Sequence, residues 1–268
     1  MNTKRVKNLL LISALFMVIG CNDSGGNGNG NGNGNGQGNG KRQGQETSQG
    51  QGNGNGQGEE NCESNQTEEG LPSTVVDAIN SNKSELTQDL KDSITYMFSE
   101  EKLAREVYLN VYEQQSVKQL YNIATNAEVK HEKAVNDLAV KYDLNVTLYP
   151  DTEASYDATS LESYGSGKFP VVAIQELYDM LYDKGIQSQQ DALEVGCMVE
   201  VTDVSDLDKY IDQATTSKAS DVLDVFDFLR KGSYKHYWAF DKGLKNKGIS
   251  DGCCSLGTDY CHPEYPQD

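Results

Sequence analysis

The sequence predicts an all-helical fold, a bundle of four long helices carried on a glycine-rich tether. Three observations lead there. From Leu71 onward apolar residues recur every third and fourth position through four long stretches, the spacing that lines one face of a helix. Few prolines interrupt this region, which is long enough for one domain. Each stretch also places at least one carboxylate or imidazole on its apolar seam.

Residues 1–20 read as a targeting signal. Lys4, Arg5 and Lys7 precede an apolar run of about a dozen residues, which is too short for a permanent bilayer-spanning helix. The ending "VIGC" resembles a bacterial lipobox, with cleavage before Cys21 and lipid carried on that cysteine. The expectation is an extracytoplasmic protein of the cell envelope, anchored to a membrane through Cys21. Asn22, in place of Asp, favours the outer membrane in a diderm. An ordinary cleaved signal with an incidental cysteine is the alternative.

Residues 21–70 form a Gly-, Asn- and Gln-rich tether, in which residues 25–58 alternate glycine with Asn and Gln and have no apolar side chain to order them. A coil of about thirty-five such residues spans roughly 30 to 35 Å, enough to hold a domain off a surface. Residues 71–248 form the expected helical domain, and residues 249–268 a cysteine-rich tail. The formal charge of -18 makes nucleic acid an unsuitable partner, and most of the carboxylates belong to solvated faces.

The first helical stretch, residues 85–114, has the seam Leu86, Leu90, Ile94, Met97, Glu101, Ala104, Tyr108 and Val111. The second, residues 117–142, runs Leu120, Ala124, Glu128, His131, Val135, Leu138 and Tyr142. The third, residues 191–211, runs Leu193, Cys197, Glu200, Val204, Leu207 and Ile211, with Asp203 close to the same face. The fourth, residues 221–240, runs Val222, Phe226, Leu229, Ser233, His236 and Phe240. A buried carboxylate is costly unless it is paired or bound to metal. A lone Glu-x-x-His is more often an exposed pair on a charged helix; the coincidence across four helices is what points to metal. Di-iron carboxylate bundles take a Glu from each of two helices and a Glu-x-x-His from each of the other two.

"EKLAREVY" and "AEVKHEKAV" resemble the first and second helices of rubrerythrin-type proteins. Taken in order, "YMFSEEKLAREVY", "NIATNAEVKHEKAVNDLAVKYDL", "ALEVGCMVEVTDVSDL" and "GSYKHYWAF" resemble a ferritin-like family of unassigned function found in bacteria and archaea. The resemblance covers roughly residues 93–243. It implies a ferritin-like four-helix bundle with a short extra helix, "PVVAIQELYDMLYDKG", in the long crossover between core helices two and three. Carried over residue by residue, it makes Glu101, Glu128, His131, Glu200 and His236 the metal ligands. Ser233 stands where a second Glu-x-x-His would have its Glu, and Asp203 could supply the missing carboxylate.

Oxygen and imidazole donors around open positions suit iron, as two ions, or manganese. The expected chemistry is oxidation of ferrous iron or reduction of peroxide, with Glu101, Glu128 and Glu200 bridging or terminal and His131 and His236 terminal. No rubredoxin-like Cys-x-x-Cys is present, so a peroxidase would need an external electron donor. The second reading is a non-catalytic binding module whose polar seam is a metal-free hydrogen-bond network. Oligomeric state is not legible in the sequence.

Glu100, beside Glu101, is expected to face solvent, because adjacent helical positions are about 100 degrees apart. Arg105 and Tyr108 either orient ligand carboxylates or serve as an ion pair and a core tyrosine. Tyr234, Tyr237 and Trp238 are expected to pack, and Gly232 to permit close helix approach. Cys197 is expected as a free buried thiol. Cys62, Cys253, Cys254 and Cys261 then make two disulfides in an oxidising compartment, Cys62 pairing with the tail. A zinc or copper site at Cys261 and His262 is the alternative.

Overall fold

The computed structural model describes residues 70–145 and 165–267, and the regular elements among them are helices. The signal segment, Cys21, the tether and Cys62 lie outside the described residues. No described helix is long and apolar enough to cross a membrane.

A short helix α1, Ser73–Asn80, precedes the long α2, Gln88–Gln115. Thr87 caps α2 by accepting the Leu90 amide at 3.2 Å, a contribution of about 1 kcal/mol. Helix α3, Lys118–Ile123, passes through a π-helical turn, Ala124–Glu128, into α4, Val129–Lys141. Helix α5, Val172–Gly185, lies in the crossover. Helix α6, Gln189–Ser217, is capped by Ser188, whose hydroxyl accepts the Asp191 amide at 3.0 Å. Helix α7, Ser220–Asn246, leads into two 3-10 turns, Gly252–Leu256 and Thr258–Tyr260.

Two tight reversals set the topology. Ser116 ends α2 and Lys218 ends α6 in the left-handed conformation, at φ 54 and 56, so each helix is followed at once by an antiparallel neighbour. Side-chain contacts give the remaining directions. Ser93 meets Gln213 and Tyr108 meets Glu200, so α2 and α6 are antiparallel. Lys141 meets Asp221 and Glu128 meets His236, so α4 and α7 are antiparallel. Helices α4 and α6 therefore point the same way, and the chain between them must return the length of the fold. Helix α5 packs on α2 and α6 along that return.

The seams face inward. Leu90, Ile94, Met97, Leu120, Leu138, Val222, Phe226 and Leu229 are fully buried, and each contributes ~1.5–3 kcal/mol of hydrophobic stabilisation. These apolar layers carry the fold, and the polar residues sit between them.

The tail corrects the cysteine expectations. Cys197 is fully buried on its seam, as expected, but it is not free: it is bonded to Cys253. Cys254 is bonded to Cys261. All three tail cysteines thus have partners without Cys62, which was expected to reach them. The reason lies in the turn after α7. The Asp241 carboxylate accepts the Cys253 amide at 3.0 Å, folding the chain back until Cys253 and Cys197 have Cα atoms 5.7 Å apart. The disulfide also removes Cys261 as a metal ligand, and His262 turns instead to Glu264, Nδ1 to Oε1 2.8 Å. Tyr237 donates to the Tyr260 carbonyl at 3.0 Å and Trp238 to the Tyr265 carbonyl at 3.1 Å, so these aromatics fasten the tail to α7.

Candidate metal centre

The residues from Leu120 to His131 would keep Glu128 and His131 on one face in a regular helix. The structure adds a device that the periodicity did not show. Between Ala124 and Glu128 the backbone widens into a π turn, a feature frequent at functional sites. Side chains compensate the displaced backbone bonds: Thr125 donates to the Tyr121 carbonyl and Asn126 to the Asn122 carbonyl, both at 2.8 Å. The π turn ends at Glu128, which is 1% exposed.

Glu128 lies between two imidazoles. Its Oε2 is 3.0 Å from His131 Nδ1, and its Oε1 is 3.0 Å from His236 Nδ1. Ligand atoms of Glu128, His131 and His236 all fall within 4.8 Å of one another. Two further carboxylates flank them, Glu101 Oε2 at 3.3 Å from His131 Nδ1 and Glu200 Oε2 at 3.4 Å from His236 Nδ1. The result is a line of groups, Glu101, His131, Glu128, His236, Glu200, contributed by α2, α4, the π turn, α7 and α6. The two rings are stacked with centroids 5.4 Å apart.

Asp203, 4% exposed, stands one turn beyond Glu200, and the charges of Glu101, Glu200 and Glu128 bear on it. Ser233 is buried and donates to the Leu229 carbonyl at 3.3 Å, so α7 adds no carboxylate there. Tyr108 donates to Glu200 Oε1 at 2.5 Å and thereby orients that carboxylate. Arg105 takes the other course and lies against Glu132, Nε to Oε2 2.6 Å.

The expectation for Glu100 is corrected: it is 2% exposed. The 100-degree step does turn it away from the His131 face, but α6 covers the face it turns to. A single helix seen alone cannot show which of its faces a neighbour will cover.

Burial and mutual charge set the protonation of the site. Burial pushes the Glu101 carboxyl up, opposed by His131, to about 7. Burial would also raise Glu128, yet His236 and His131 outweigh it and hold this carboxyl below the usual range. Burial alone would lower His131, but Glu101 and Glu128 overcome it and raise the imidazole to about 10. His236 is likewise raised by Glu200 and Glu128 against its burial. Asp203 is pushed well up by burial and by the three glutamates around it.

The donor atoms converge, and several of them have no hydrogen bond. Both oxygens of Glu101, Oε1 of Glu128, Oε2 of Glu200 and Nδ1 of His236 are buried without a hydrogen-bond partner. The imidazole nitrogens stand 3.0 to 3.4 Å from these carboxylates. Unpaired buried polar atoms are rare in folded proteins, and a ligand-bound ion would satisfy these.

Comparison with known proteins places the chain in a wider group. Over 166 residues it is 35% identical to the uncharacterized protein MJ0754 of Methanocaldococcus jannaschii, covering 62% of this chain and 80% of that one. The crystal structure of the hypothetical protein MJ0754 superposes with a TM-score of 0.53 at 34% identity, over 63% of this chain and 87% of the other. Residues 90–259, which include all the residues of the centre, match the family described as an uncharacterized protein domain, DUF2202, and to that family this chain belongs.

Proposed function

We propose that this domain is a ferritin-like four-helix bundle, with α2, α3 to α4, α6 and α7 as its core, that binds a pair of iron ions and oxidises ferrous iron or reduces peroxide. The observation that carries the reading is the position of Glu128. Each of its oxygens faces a different imidazole at 3.0 Å, so Glu128 and both imidazoles would hold the ions together. Glu101 with His131, and Glu200 with His236, would add a carboxylate and an imidazole on either side. Asp203 offers the carboxylate that Ser233 lacks. The mixed oxygen and nitrogen donor set suits iron, with manganese as the alternative.

Bound iron would supply one-electron chemistry in a site shielded from bulk water. The chain's own part is to hold and place charge. Glu128 stays ionised between the two rings, Tyr108 fixes the orientation of Glu200, and His131 and His236 must each give up a proton before they can ligate. Reduction of peroxide would draw electrons from an external donor. A lipid on Cys21 would hold the domain in the envelope, on the outer membrane of a diderm.

Metal analysis of the purified protein, joined to thermal melts with and without iron(II) or manganese(II), tests the reading. Saturating metal should raise the melting temperature, since the folded state alone presents the assembled site. His131→Ala should remove most of that rise without loss of helical content, because apolar packing holds the helices. No shift with either metal, together with a Glu128→Gln variant that is neutral or more stable, would establish the seam as a metal-free polar network in a binding module.

A further inference from the structure

Glu100 is a buried carboxylate that the centre does not use. Both of its oxygens lack a hydrogen-bond partner, and the residue is 2% exposed. The antiparallel register of α2 on α6, given by Ser93 against Gln213 and Tyr108 against Glu200, sets Glu100 level with Asp206. Asp203, one turn earlier on α6, is itself buried and lies among Glu101, Glu200 and Glu128. Asp206 is the solvent end of the group. Its side chain is 16% exposed and meets Lys209 Nζ through Oδ1 at 2.6 Å. Asp206, Asp203 and Glu101 are the carboxylates that bear on Glu100. A buried carboxylate surrounded by like charges needs a proton or a cation.

We propose that Glu100 and Asp206, with Asp203 shared between them and the centre, form a second divalent-cation site between α2 and α6, standing between solvent and the centre and passing ions inward. The role as a feeder rests on the reading of the centre as a metal site; the cation site itself does not. The three carboxylates do not gather their donor atoms as closely as Glu128, His131 and His236 do, and they include no nitrogen. Such a site suits a divalent ion that keeps part of its water shell, such as manganese(II) or ferrous iron, and holds it more weakly than the centre. Asp206 opens the site to solvent, and Asp203 continues it toward Glu101 and Glu200.

Anaerobic titration of the full chain with manganese(II), with the free ion followed by electron paramagnetic resonance, tests this. The wild-type chain should show a tight class of sites and an additional weaker equivalent. Glu100→Gln should lose the weaker equivalent, keep the tight class, and fill that class on the order of tenfold more slowly, as expected when an electrostatic feeder is removed. Asp206→Asn, at a partly exposed position, should do the same and serves if Glu100→Gln does not fold. In a His131→Ala background the tight class should vanish and the weaker equivalent remain, until Glu100→Gln is added. Survival of the weaker equivalent in both Glu100→Gln and Asp206→Asn would overturn the site and leave Glu100 and Asp206 as a proton-sharing carboxyl pair. A tight class untouched by His131→Ala would instead sink the reading of the centre, with the loss in Glu100→Gln still supporting the second site. No manganese bound to the wild-type chain would overturn both.

Discussion

Gly232 of α7 lies directly against the imidazole of His131, so close that a methyl group at position 232 would overlap ring atoms Nε2 and Cε1. The glycine permits helix approach, as the sequence suggested, but the approaching group is a candidate ligand.

Gly232→Ala should therefore damage the centre more than the fold. Alanine improves helix propensity by about 1 kcal/mol, while the overlap costs about 1–3 kcal/mol or displaces the ring. Thermal melts should show a small change in metal-free stability and loss of most of the metal-induced rise. A full metal-induced rise in Gly232→Ala would count against His131 as a ligand.

The pH dependence of the metal-free protein has a definite sign. His131, raised from 6.5 to about 10, gives stability that is present below about 6.5 and lost as the pH climbs toward 10. Glu101, raised from 4.5 to about 7, acts in the same direction, with its contribution present below about 4.5 and lost through pH 7. Glu128, held low, gives stability above 4.5 that is lost only in acid. The metal-free melting temperature should thus fall from pH 5 to pH 9, by about 2–4 °C for each kcal/mol lost in a domain of this size. The metal-induced rise should grow over the same range, because the imidazoles shed protons on ligation. A melting curve that ignores pH in both states contradicts the paired charges.

Peptide mapping without reduction should recover Cys197 linked to Cys253 and Cys254 linked to Cys261. The two bridges should differ in worth. They span 56 and 7 residues of sequence, for which loop-closure entropy gives about 4 and about 2.5 kcal/mol respectively. Cys197→Ala should accordingly lower stability more than Cys254→Ala in denaturant titrations. The reverse order would mean that the α6 bridge does not form in solution.

Cys21→Ala tests the anchor. The variant should accumulate as an unprocessed or soluble precursor. Its recovery in the membrane fraction at wild-type size would remove the lipid from the proposed function.

The sequence alone was enough for the four long helical stretches and the crossover helix, though not for α1 or the π turn, and for the inward direction of Glu101, Glu128, His131, Glu200 and His236. Helical periodicity is a local property, and Leu90, Ile94 and Met97 mark the buried face of α2 without reference to any neighbour. Spacing could also show that Ser233 breaks the Glu-x-x-His pattern. What lay beyond it depended on which surfaces meet. The covering of Glu100 by α6 and the seating of His131 on Gly232 are relations between helices far apart in sequence, set by antiparallel register. Only the fold placed Glu128 between two rings, because that position needs the π turn and α7 together. Cys197 and Cys253 became partners for the same reason: the turn closed by Asp241 folds the tail back onto α6, and no spacing within either segment encodes that encounter.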